Sequence, residues 1–98
     1  MWKGREGMEM SDGASACQEG VDLVQGARQD EYGEPGECYR KVGQMWGIML
    51  QVGDIPAATV AMMMVVLKLG REMNKHKRDN LVDMAGYVEI ADIANGRR

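Results

Sequence analysis

The 98-residue sequence has no phenylalanine, one histidine (His76) and two cysteines (Cys17 and Cys38). Without a Cys/His set at metal-binding spacing, a structural zinc site is excluded. Two thiols with nothing else pointing to secretion read as reduced residues of a cytoplasmic protein. Strong charge of either sign is missing too. The 12 Lys plus Arg stand against 15 Asp plus Glu, a net charge of -3, which provides no uniformly basic surface for a phosphate backbone, so nucleic acid is not an expected partner. There is also no long apolar run. From Ala57 to Leu67 only Thr59 is polar, but the run ends at Lys68, short of the ~18 residues of a membrane span. After Met1, Trp2-Lys3-Gly4-Arg5-Glu6 leads into more polar residues and not into the apolar stretch of a signal peptide.

What is present is methionine, 10 residues of it, with five aromatics (Trp2, Trp46, Tyr32, Tyr39, Tyr87). Unbranched side chains lose little rotamer freedom in a helix, so this composition favours helices over sheets. The length allows one domain, with residues 1–10 as a flexible N-terminal arm and 11–98 as a single helical unit. Ser11 or Asp12 can cap a first helix over 13–30, with Ala14, Cys17, Val21, Val24 and Ala27 as its stripe, weakened at Gly20 and Gly26. After Tyr32-Gly33-Glu34-Pro35-Gly36, the residues Cys38, Val42, Met45, Trp46 and Met49 recur at helical spacing, predicting a second helix over 35–51. Gly53-Asp54-Ile55-Pro56 supplies a stop and a start, with Asp54 as cap. A third helix over 56–73 has no polar face across Met62-Met63-Met64-Val65-Val66-Leu67 and is expected to be central. Leu81, Met84, Ala85, Val88, Ala91 and Ile93 mark the fourth helix, stopped at Asn95-Gly96. Short joints make sequential helices antiparallel neighbours, giving an all-α, four-helix up-and-down bundle. Three short helices cannot cover an apolar third helix, so a homo-oligomer is expected.

Charge is unevenly placed. Five of the seven Lys/Arg after residue 60 lie between Lys68 and Arg78. Lys68 and Arg71 share a helix face, where they can complement the dipole or hold phosphates. Asp79 and Asp83 are four apart on the fourth helix, with Tyr87 near the same face. Like charges at this spacing repel by a few tenths of a kcal/mol and need an offset: a salt bridge from Asp83 to Lys68 or Arg71 across the hairpin, or a Mg²⁺ held by both acids. Glu34 and Glu37 stand at the start of the second helix, where capping is one role and metal ligation another. Arg28 and Tyr32 can hold a phosphate and stack on a base.

The series Arg28-x-x-x-Tyr32-Gly33, Trp46, Val60-Ala61-Met62-Met63 leading to Lys68-x-x-Arg71, then Asp79-x-x-x-Asp83-x-x-Gly86-Tyr87 resembles a family of small phage-encoded helical proteins. That family is in turn similar to the MazG-like all-α nucleotide pyrophosphohydrolases. The resemblance covers most of the chain, from Cys17 to Ile93. It implies a MazG-like oligomeric fold in the host cytoplasm and Mg²⁺-dependent cleavage between the α- and β-phosphates of a nucleoside triphosphate. The metal would neutralise phosphate oxygens and activate water. On this chain it implies Glu34, Glu37, Asp79 and Asp83 as metal ligands, with Glu37 and Asp83 in catalysis. Arg28, Tyr32, Lys68, Arg71 and Tyr87 are then expected to hold the nucleotide. The alternatives are a nucleotide-binding or nucleotide-sequestering protein without turnover and a helical interaction module.

Overall fold

The computed structural model describes residues 14–26 and 34–96. These form four helices, α1 (Ala16–Gln25), α2 (Pro35–Leu50), α3 (Ala57–Asn74) and α4 (Arg78–Ala94), and none of the described residues is in a strand. The expected arm at 1–10 lies outside the described residues, as do Arg28 and Tyr32.

Local chemistry accounts for the helix ends. Ser15, rather than Ser11 or Asp12, caps α1, its Oγ accepting from the Gln18 amide at 3.0 Å. Glu34 caps α2 through its carboxylate, which accepts from the Glu37 amide at 2.7 Å, and Pro35 takes the first turn, where its missing N–H costs nothing. Gln51 closes α2 in the left-handed region (φ 61°), its amide donating to the carbonyls of Gly47 and Ile48. Pro56 rather than Asp54 is the residue before α3, and no side chain caps that helix. Its fixed φ starts the helix without one.

Packing differs from an up-and-down bundle in one respect and from a central third helix in another. Sequential neighbours pair as expected at α2–α3 and α3–α4, but α1 lies on α4 and has no comparable contact with α2. The helix in the middle is α4, which touches all three others. Small residues make this arrangement possible. Gly20 of α1 crosses α4 at Gly86, and a Cβ on Gly20 would lie 2.5 Å from the Val82 carbonyl oxygen and 2.8 Å from the Gly86 nitrogen. Arg78, the first residue of α4, ties the other end to α1 through an ion pair with Glu19 and a 3.3 Å hydrogen bond to the Ala14 carbonyl. The α2–α3 joint folds back on α2. The Val52 amide donates to the Gly47 carbonyl (2.9 Å) and the Ile55 amide to the Gly43 carbonyl (3.2 Å), so close that a Cβ on Gly43 would run into the Ile55 carbonyl oxygen.

The core is small. Val24, Ala61, Ile90 and Ala91 form its buried cluster, with Tyr39, Ala58, Tyr87 and Ile93 packed around it. None of the described methionines is buried. The stripe of α2 that the sequence pointed inward does not face the other helices along its length. Met45 and Met49 are exposed, and α2 instead buries Pro35, Gly43 and Gly47. On α1, Cys17 is exposed while Gly20 and Val24 are buried.

Candidate functional site

The α3–α4 hairpin gathers most of the charge. Its joint, residues 75–77, is held by Glu72 in the last turn of α3. That carboxylate accepts from the Lys77 amide at 3.1 Å and from Asn80 Nδ2 at 3.0 Å, and it pairs with His76. Asn80 is buried and its amide also reaches the Lys75 carbonyl at 3.5 Å, which satisfies a polar side chain that would otherwise be costly to bury. The bond from His76, then that from Asn80, holds the Glu72 carboxyl below the usual carboxylate range.

A group whose folded pKa is depressed contributes stability above its unfolded pKa, and this is lost as pH falls through the folded value. Wild type is therefore expected to melt at higher temperature than Glu72→Gln at neutral pH. The difference should shrink once pH drops below about 4.5 and vanish as pH falls through the lowered folded value. Melting curves of both proteins across this range check it. An equal difference at every pH would show that the carboxylate charge is not what holds the turn.

Beside this turn lies an open cleft of about 580 Å³, lined by Lys68, Arg71, Lys75, Lys77, Asp79 and Asn80 with Gly70 and Asn74. Among the described lining residues, four cations thus face one carboxylate, in a chain that is acidic overall. The geometry comes directly from the fold. Lys68 and Arg71 sit one turn apart on α3, Lys75 and Lys77 are the two ends of the joint, and Asp79 lies in the first turn of α4. Deeper between the same helices, Lys68 Nζ and Asp83 Oδ2 form an ion pair of 2.8 Å, with the two side chains 13% and 11% exposed. At that burial neither charge is screened as a surface pair would be.

The sequence-designated residues separate into groups. Lys68, Arg71 and Asp79 come together at the cleft, and Asp83 joins them through Lys68. Glu34 is committed to capping α2. Glu37 is exposed and pairs with Arg40 at 2.9 Å, whose guanidinium, chiefly by its hydrogen bond, lowers the Glu37 carboxyl below its ordinary value. Tyr87 packs on the core cluster. Among the described residues no three His, Cys, Asp or Glu side chains group as a metal set. Glu34, Glu37, Asp79 and Asp83 are therefore not drawn into one site.

Three contributors escape a reading of the residues alone. Lys75 and Lys77 belong to a run that reads as a polar connection, although it holds the densest positive charge in the chain. Glu89 is buried on α4, where its Oε2 accepts from Gln25 Nε2 of α1 at 3.1 Å. An acid between Val88 and Ile90 was the available signal.

Among the described residues no helix is long and apolar enough to cross a membrane. No solved structure matches the chain. The Gene 55 protein of Mycobacterium phage L5 is 31% identical over 72 residues, 72% of this chain and 46% of the phage protein. The Gene 55 protein of Mycobacterium phage D29 is 31% identical over 75 residues, 76% of this chain and 49% of its own length. The chain thus spans about half the length of these curated relatives. The model of a family described as a domain of unknown function, DUF6378, matches residues 16–94, from the first turn of α1 to the last of α4, and the chain belongs to that family.

Proposed function

We propose that this protein binds a nucleotide through its phosphates, in the host cytoplasm, and that the cleft at the α3–α4 turn is where it does so. The observation that carries this reading is the convergence of Lys68, Arg71, Lys75 and Lys77 on one cleft of a net-acidic chain. Cations gathered in one cleft attract anions more strongly than the same charges dispersed. A guanidinium such as that of Arg71 can grip two phosphate oxygens at once. The cleft volume is that of a small-molecule site.

Titration calorimetry with pyrophosphate and with a panel of ribo- and deoxyribonucleoside triphosphates tests the proposal. Binding is expected, weakening as salt is raised. Arg71→Ala is expected to reduce affinity about tenfold, which is ~1.4 kcal/mol. Absence of heat with every ligand would overturn the reading and leave a helical interaction module.

A second reading, Mg²⁺-dependent pyrophosphate release in the manner of MazG-like enzymes, draws on Asp79, the carboxylate on the cleft wall. Mg²⁺ is usually held by one or two carboxylates together with substrate phosphates. The described residues do not supply the four-acid set that the resemblance implies; among them Asp79 is the carboxylate lining the cleft, and Asp83 lies behind it against Lys68. Release of pyrophosphate from any triphosphate in the presence of Mg²⁺ would favour this reading over binding alone.

A further inference from the structure

We infer that a second copy of this chain packs on the outward faces of α2 and α3. On α3, Met62, Val66, Leu69 and Met73 follow one another at spacings of four, three and four residues, the 3.5-residue period of a helix seam. All four are exposed, Met73 at 80%. On α2, Met45 and Met49 continue the stripe begun by Cys38 and Val42, and Met49 is 76% exposed. A stripe at this spacing facing solvent has no role in the monomer, where α3 directs Val60 and Ala61 inward.

The exposed area matches what a stable pair needs. Eleven large apolar side chains between Met45 and Met73 are 40% to 80% exposed. At roughly 100 Å² each they leave on the order of 1,000 Å² per subunit, above the ~800 Å² that each partner contributes to a standard interface. Among the described residues the buried apolar ones are four Val or Ile and two Ala, a small core for four helices. Self-association also fits the chemistry of the face. Lys68, the one charged residue between Thr59 and Gly70, turns inward to Asp83, so the α3 part of the face brings no like charges together in a two-fold pairing.

Analytical ultracentrifugation of the full chain at about 50 µM is expected to give twice the monomer mass, with a melting temperature that rises with protein concentration. Val66→Glu with Leu69→Glu should weaken the pairing at least a hundredfold. If that variant does not fold, wild-type methionine oxidation serves in its place. Met45, Met49, Met62 and Met73 should oxidise at least about tenfold more slowly in the dimer than in protein diluted to monomer. A monomeric wild type with a concentration-independent melt would overturn the inference, whatever else binds the face. So would a dimer in which these methionines oxidise at the monomer rate.

Discussion

Gly20→Ala is expected to destabilise the protein by about 2–3 kcal/mol, against a gain of ~1 kcal/mol that the same change brings inside an ordinary helix. The sign reverses because the added methyl would meet backbone, the Val82 carbonyl oxygen and the Gly86 nitrogen, neither of which can rotate aside. α1 would have to lift from α4, withdrawing Val24 from the core and loosening the Gln25–Glu89 bond. For a domain of this size the loss corresponds to a fall in melting temperature of about 10–20 °C, measurable by circular dichroism. A rise of a few degrees would show that α1 is not held by this crossing.

The second large effect concerns the Lys68–Asp83 pair. Removing one member of a poorly hydrated ion pair strands the other, and Lys68→Met or Asp83→Asn alone is expected to cost about 2–4 kcal/mol. The double variant Lys68→Met/Asp83→Leu should recover most of that, since well-packed apolar side chains replace such pairs at little cost. A double-mutant cycle closed with Lys68→Met, Asp83→Leu and their combination measures the coupling, and a value near zero would mean that the pair does not hold α3 to α4.

The same variant separates the two functional readings. Asp83→Asn releases Lys68 at the wall of the cationic cleft, so pyrophosphate affinity should rise about threefold or more if the cleft binds phosphate by charge, by the tenfold-per-1.4 kcal/mol relation. If Asp83 instead ligates a catalytic metal, the variant loses Mg²⁺-dependent activity with no gain in binding.

Much of this arrangement could be read from the residues, and the parts that could not have a common cause. Helix number followed from the 3.6-residue period, and the start of α2, the start of α3 and the stop of α4 from Pro35, Pro56 and Asn95-Gly96, whereas the caps read at Ser11 or Asp12 and at Asp54 fell elsewhere. The Lys68–Asp83 bridge was one of two partnerships that spacing allowed, and Glu34 took the capping role open to it. What periodicity could not provide was direction. The stripe of α2 has the same period whether it faces the same chain or another copy, and the all-apolar α3 reads as a centre although α4 occupies it. Helix packing in this chain is decided by what allows close approach, Gly20 against Gly86 and Gly43 against Ile55, and hydrophobic patterning assigns no weight to glycine. The cleft was half legible. Lys68 and Arg71 stood out by shared face, whereas Lys75 and Lys77 join them only once the turn has closed around Glu72.

Buried polar groups on α4 act as a vernier for its neighbours. Asn80 meets Glu72 of α3 at one end and Glu89 meets Gln25 of α1 near the other. Methionine and valine surfaces tolerate sliding, because one apolar contact substitutes for another. Two amide–carboxylate contacts set about two and a half turns apart do not, since a shift by a single turn would leave each without its mate. A chain so poor in large buried side chains thereby acquires one axial setting for its helices, and the cationic cleft, assembled from residues on both sides of the turn, keeps its shape.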